Sequence, residues 1–312
     1  VTENRKASYT AAESIPIKLL LNPGVLELKP IHVQWVPTNH CNLHCKFCSC
    51  ENRDRSLQMD MPTARGVIEE LASMGCLAVT VTGGGEPLCH PQITEMIECF
   101  VDNGIEVGLV TNGPLLSRMS AEVLSLLTWC RISNSDEREM SPRYKNVLER
   151  AVEADVDWAF SHVVSSTPNL EEIGRVVDFA NEHNFTHVRL VADLLEPENV
   201  DMAPVQESLA GKDRIVIYQG RQAWEPGGPC LIGFIKPLIW PDFQIYPCCG
   251  VQYAYDPMPL DMPPSMSMGD ARNLQEVYAD RRPILHGCTR CYYMNYNRIL
   301  EAVSGIKHGA FV

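Results

Sequence analysis

Long apolar runs are missing from this 312-residue chain, and no uninterrupted stretch of it can cross a bilayer. Its opening residues, VTENRKASYTAAESIP, are polar and lack the apolar centre of a secretory leader. The expected compartment is therefore the cytoplasm, with no membrane partner. Basic residues are in deficit: 26 Lys and Arg face 39 Asp and Glu, a formal net charge of -13. Such a chain is a poor electrostatic match for duplex nucleic acid, whose binding needs cations to displace counterions. Short internal repeats and low-complexity tracts are also lacking. The hydrophobic share of 45% is ample for one large domain with a small appendage.

Cysteine, by contrast, is plentiful. There are thirteen, an odd number, and structural disulfides are rare in a reducing compartment. Clusters of cysteine in such a chain read as metal ligands. Four fall within NHCNLHCKFCSC, residues 39–50. Four more, Cys230, Cys248, Cys288 and Cys291, lie near the other end.

Between these sets runs a strand-then-helix rhythm. IHVQWVP (31–37) is an apolar, β-branched run leading into the first cysteines. Helical spacing follows in 62–75, with Pro62 suited to a first turn. A strand, LAVTVTGGGEP (77–87), breaks at glycines. The pattern then alternates helix 91–104, closing on Gly104, strand 105–113, helix 121–129, strand 130–135, helix 141–156, strand 157–165, helix 169–184 and strand 186–194. Six strands alternating with helices predict parallel strands joined by right-handed crossovers. The expected class is α/β, a partial (β/α)6 TIM-like barrel over 30–200 after an N-terminal extension, 1–29. Chemistry in such folds sits at the carboxyl ends of strands, where the cysteines, the glycines and TNG (111–113) lie. After residue 200 the rhythm stops. Residues 201–312 are rich in Pro and Cys, with one clear helix at 273–282, and read as a small C-terminal α+β unit that needs a metal or another staple.

Cys41, Cys45 and Cys48 read C-x3-C-x2-C, three thiolates for three corners of a [4Fe-4S] cubane. The fourth iron stays open for a ligand. Zinc is an alternative, with His40 and His44 nearby. A thioredoxin-like pair, CKFC (45–48), is another, but it explains neither Cys41 nor the glycines downstream. Cys50 reads as a spare or supporting thiol.

With these residues the chain resembles the radical S-adenosylmethionine (SAM) superfamily. The resemblance rests on C-x3-C-x2-C after the first strand, with Phe47 before the third cysteine, and on GGGEP (83–87) after the second. It implies a SAM-binding [4Fe-4S] cluster on Cys41, Cys45 and Cys48. It also implies SAM contacts from Gly83, Gly84, Gly85 and Glu86, glycine letting a ligand approach backbone. Phe47, Asn112, Ser133, Asn134, Ser161 and Val191 are further expected SAM contacts, and His162 is a pocket or core residue. The implied chemistry is reductive cleavage of SAM to a 5′-deoxyadenosyl radical, which abstracts hydrogen from an unactivated carbon. An electron donor such as flavodoxin or ferredoxin is the implied partner.

The second set, Cys230, Cys248, Cys288 and Cys291, could bind zinc. Behind such a barrel it is similar to the twitch domain, the shortened relative of the SPASM domain, which implies one auxiliary [4Fe-4S] cluster. Cys249 could replace Cys248. Cys76, Cys89, Cys99 and Cys130 read as small core residues. The expected activity is hydrogen abstraction from a small polar or modified-nucleotide substrate, with the auxiliary cluster supporting oxidation or positioning. A radical SAM isomerase or epimerase, a nucleotide- or nucleic-acid-modifying enzyme without net oxidation, and a non-enzymatic iron–sulfur or zinc protein are the alternatives. Arg189, Arg221, Arg290, Asp193, Glu196, Tyr218 and Trp240 are candidate substrate contacts.

Overall fold

The computed structural model describes residues 28–136, 138–219, 228, 230–253, 262–280, 288, 291 and 293–304. Arg221, Arg290 and nearly all of the expected N-terminal extension lie outside them. Six strands alternate with helices as the pattern predicts: β1 (His32–Trp35), α1 (Met61–Ser73), β2 (Ala78–Val81), α2 (Ile93–Asp102), β3 (Glu106–Thr111), α3 (Ala121–Leu124), β4 (Trp129–Ser135), α4 (Pro142–Ala151), β5 (Asp157–Val164), α5 (Leu170–Glu182) and β6 (His187–Ala192). Then come α6 (Ala203–Ser208), β7 (Val216–Gln219), α7 (Ile232–Ile235), β8 (Leu238–Ile239), β9 (Gln244–Tyr246), β10 (Gly269–Asp270), α8 (Leu274–Ala279) and α9 (Met294–Ser304).

Local signals account for the helix ends. Asp60 caps α1 by accepting from the Thr63 N–H at 2.9 Å, with Pro62 in the first turn. Gly104 follows α2 in the left-handed region, φ 74°, and its N–H returns to Val101 O. The helix expected over 121–129 is only one turn, because Trp129 already pairs with Gly108 at the start of β4.

All ten strands form one sheet in the order β10-β9-β8-β1-β2-β3-β4-β5-β6-β7. Strands β1 to β7 are parallel, and β8 joins β1 in parallel at the opposite edge. β9 and β10 continue antiparallel. The fold is the expected partial (β/α)6 barrel, extended at both edges by strands that follow residue 200.

Strand side chains alternate between faces. One face carries Val33, Trp35, Val79, Val81, Val107, Leu109, Cys130, Ile132, Trp158, Phe160, Val188 and Leu190, all buried in the main core with the helices. Trp35 meets Phe100 of α2 edge-on at 5.2 Å, and Phe160 stacks on Phe185 at 4.8 Å. The other face is polar: Gln34, Thr80, Arg131, Ser133, Ser161, His187 and Arg189 fall on it by register. Residues beyond 200 join the main core through Val205, Val216, Phe234, Ile239, Phe243 and Ile245, and build most of two smaller clusters. Ile232, Ile235, Tyr293 and Leu300 form one with Ile31, and Leu238, Trp240, Tyr246, Val251, Met262 and Met266 form the other with Val36. Among the described residues no helix is long and apolar enough to cross a membrane.

Replacing Asp60 by Ala removes the α1 cap and should lower unfolding stability by about 1 kcal/mol. Denaturant melts of wild type and variant check this; an unchanged midpoint would show that the cap contributes nothing.

Candidate active site

The loop after β1 carries the first cysteines, all half-buried and free of disulfides. The Cys48 N–H donates to Cys45 O at 3.1 Å, and the Leu43 N–H reaches Cys41 Sγ at 3.4 Å. Phe47 is half-buried between them. Arg53 is folded back into this loop and is only 7% exposed. Its Nε donates to Asn39 O at 2.9 Å, its Nη1 reaches Cys48 Sγ at 3.5 Å, and it also bonds Cys50 O. Arg53 thus ties the start of the cysteine loop, at Asn39, to its end, at Cys48 and Cys50. Nothing in the spacing of the motif marks Arg53, five residues beyond the last ligand.

The glycine loop after β2 packs directly on the cysteine loop. A Cβ on Gly85 would collide with the His40 and Asn39 backbone. One on Gly84 would strike Asn39 Oδ1 and come within 2.5 Å of Trp240, and one on Gly83 would strike Gly85 itself. These glycines thus serve approach of the chain to itself as well as to a ligand. Trp240, expected as a substrate contact, is buried against Gly84.

Glu86 is buried, and its carboxylate is taken up by protein donors. Oε1 accepts from Thr111 Oγ1 at 2.6 Å and from the Leu88 N–H at 3.1 Å, while Oε2 accepts from the Asn112 N–H at 2.6 Å. Burial outweighs these bonds and holds its pKa above the ordinary carboxylate value. Glu86 therefore staples the end of β2 to the end of β3. Asn112 donates to Asn42 Oδ1 at 2.8 Å and lies 3.9 Å from Cys41 Sγ. Its Oδ1 is buried without a partner, as is Asn39 Oδ1. Cys89, expected in the core, is half-buried here and lies 3.9 Å from Asn42 Oδ1. Cys76, Cys99 and Cys130 are core residues.

The strand-end residues divide by face. Ser133 pairs in register with Ser161, and Ser161 with Arg189, on the polar face, where Val191 follows. Ser161 Oγ accepts from Arg189 Nη2 at 2.9 Å. Asn134 pairs with His162 on the opposite, helix-covered face. Both Asn134 amide atoms are buried without a partner. His162 Nε2 bonds Asp136 Oδ1 at 2.9 Å. Burial alone would raise Asp136, but hydrogen bonds from His162 and from the Ser165 N–H hold it below the usual value. Asp193 accepts from the Leu195 N–H, and Glu196 bonds Asn199 at the surface. Tyr218 OH is buried without a partner.

The four later cysteines act on one another. Burial pushes Cys230 up to about 12, with Cys288 and Cys291 adding to the rise. Burial raises Cys248 well above the usual thiol value, followed by Cys249, Cys230 and Cys288. Cys288 is pushed up to about 11 by burial and then Cys291. Burial and mutual proximity thus oppose ionisation of these thiols, and Lys236 is a cation within electrostatic reach of Cys249 and Cys248. Among the described residues no three His, Cys, Asp or Glu side chains close round a single ion; a cubane spreads its thiolates over separate corners. Cys50 links the two regions. Its thiol bonds Gln252 Oε1, beside Cys249, and burial pushes its pKa up to about 12.

The parallel α/β partial barrel thus sets three thiols after its first strand against a glycine loop after its second. Residues 35–133 match the Radical SAM superfamily model, so this part of the chain is a radical SAM domain, of a superfamily of enzymes. The chain is 30% identical over 168 residues to the AdoMet-dependent heme synthase of Methanosarcina barkeri, covering 49% of this chain and 48% of that protein. It is 22% identical over 241 residues to a probable GTP 3',8-cyclase of Methanocaldococcus jannaschii, covering 70% and 80%. The chain thus spans about half the length of the heme synthase. In fold it is similar to Streptococcus suis SuiB bound to precursor peptide SuiA: TM-score 0.61, 16% identity, 86% of this chain and 69% of that one.

Changing Gly85 to Val should lower iron retention as well as SAM affinity, since the side chain would push the cysteine loop away. Iron assay and SAM binding measured together check this. Full iron with weakened SAM binding would instead assign Gly85 to the ligand alone.

Proposed function

We propose that the chain binds a [4Fe-4S] cluster on Cys41, Cys45 and Cys48, cleaves SAM reductively and abstracts hydrogen from a small polar substrate. The observation that supports this most is the clasp: the three-thiol loop is held against GGGEP by glycines with no room for a side chain. The cluster, when bound, supplies the electron that breaks SAM. This chain's residues do the rest. Arg53 holds the cysteine loop through Asn39, Cys48 and Cys50, and Glu86 fixes the TNG turn. Asn112, whose Oδ1 is buried without a partner, and the backbone of Gly83 to Gly85 would hold SAM, and Ser133, Ser161 and Val191 would border it from the polar face. The donor set fits the group.

Cys230, Cys248, Cys288 and Cys291 are proposed to hold an auxiliary [4Fe-4S] cluster in a twitch-like unit spanning 201–312, supported by their mutual electrostatic reach. The heme synthase and GTP cyclase relatives act, by name, on different small molecules, so the likeness supports a substrate class and no single substrate. A flavodoxin- or ferredoxin-type donor and a cytoplasmic setting complete the reading.

Anaerobically reconstituted wild type should carry about eight irons per chain, and Cys41→Ala, Cys45→Ala or Cys48→Ala about four, with no SAM cleavage. Production of 5′-deoxyadenosine by such a variant after dithionite reduction would overturn the first-cluster assignment. The double variant Cys288→Ala/Cys291→Ala should lose the other irons. Retention of about eight irons in the double variant, or zinc at that site in the wild type, would overturn the auxiliary cluster.

A further inference from the structure

Asn297 is a polar residue on the apolar face of α9, and its side chain reaches the first of the later cysteines. Tyr293, at the entry to α9, and Asn297 and Leu300 on it are spaced as one helical face, and all three are buried. This face closes the smaller cluster of Ile31, Ile232 and Ile235, at whose margin Cys230, Cys248 and Cys249 pack. An amide buried there costs stability unless its hydrogen bonds are made. Asn297 Oδ1 accepts from the Leu231 N–H and the Ile232 N–H, both at 2.9 Å. These two groups open α7, whose N-cap residue, Leu231, makes no side-chain cap of its own. Asn297 caps that turn from another helix.

The two bonds fix which end of the amide is oxygen, so its NH2 group faces the other way. Cys230 is the group it meets. Burial pushes the Cys230 thiol up to about 12, and the Gly233 N–H and the Asn297 side chain act against that rise by hydrogen-bonding the sulfur. Cys248 accepts in the same manner from the Gly250 N–H. Gly233 has no room for a side chain: a Cβ there would lie 2.7 Å from Pro247, the residue before Cys248. The turn that carries Cys230 is thus pressed against the segment that carries Cys248 and tied to α9 behind it.

We propose that Asn297 is a positioning residue of the auxiliary centre: its oxygen fixes the Cys230 turn, and its NH2 group donates to the Cys230 sulfur and raises the centre's reduction potential. This rests on the proposed auxiliary [4Fe-4S] cluster. A hydrogen bond to a ligand sulfur stabilises the more negative, reduced cluster, and such bonds are among the means by which a protein sets its potential.

Potentiometry followed by electron paramagnetic resonance of the two-cluster holoenzyme tests this. The auxiliary signal is the one that added SAM leaves unchanged, since SAM binds at the open iron of the first cluster; the SAM-sensitive signal is the internal control. Asn297→Asp keeps the oxygen and removes the donor. It should keep about eight irons. Its auxiliary reduction equilibrium should fall about tenfold, a shift of about 59 mV to lower potential for one electron, with the control unmoved. Asn297→Ala removes both contacts and should retain only about four irons. Independently of any variant, wild type carrying asparagine labelled with heavy nitrogen should show nitrogen coupling in the auxiliary signal. A wild-type auxiliary potential in the Asp variant, or no such coupling, overturns the sulfur contact. Full iron at the wild-type potential in the Ala variant overturns the whole proposal. About four irons in the wild type, with zinc on the later cysteines, overturns the auxiliary cluster itself; about eight irons with unmoved potentials in both variants overturns this inference alone.

Discussion

Between Gly85 and the backbone of Asn39 and His40 there is no space for a methyl group. Two loops from different strands are therefore fixed to each other by exclusion of side chains, and the site's other contacts depend on that approach. The Gly85 N–H donates to Thr38 O at 3.1 Å and the Glu86 N–H to His40 O at 2.8 Å. Glu86 then ties the same junction to the end of β3. Buried polar groups demand partners, and here the partners come from three strand ends, so the thiols, the glycines and the TNG turn form one rigid unit.

Alternation along the strands separates support from chemistry. The face toward the helices is apolar and closes the main core. The face away from them collects Gln34, Thr80, Ser133, Ser161, His187 and the two arginines. A packed parallel barrel would fill its interior with branched apolar side chains. Here polar groups stand in that place, as a face does when it meets a ligand. Asn134 and His162 show how strict the alternation is. One residue from Ser133 and Ser161, they point to the other face, where His162 bonds Asp136 and the Asn134 amide is buried without a partner.

Residues beyond 200 pack into the main core through Val216, Phe234, Ile239, Phe243, Ile245 and Leu274, and also form two smaller clusters. These two clusters borrow Ile31 and Val36 from either side of β1, and half-buried Cys230, Cys248, Cys249 and Cys288 pack at their margins. A metal among those thiols would tie these margins together. The strands beyond residue 200 meanwhile continue the main sheet at both edges, so this unit shares hydrogen bonds with the barrel. The Cys50–Gln252 contact adds a side-chain link between the two cysteine regions.

Periodicity and motif spacing in the sequence alone determined the six strand–helix units and the placement of the first cysteines and glycines at strand ends; the radical SAM class came from the family resemblance those motifs carry. Those signals are local, and local spacing is what a linear chain displays. The tertiary structure decided the rest, because it depends on residues far apart in the chain. Only folding shows that the glycines serve contact between loops, that the Glu86 carboxylate is occupied by protein donors, and that Arg53 turns back onto Cys48. Register between strands, which no single segment encodes, places Asn134 away from Ser133 and brings Arg131 and Arg189 onto one face. Charges scattered along the sequence come onto one face only when parallel strands lay them side by side.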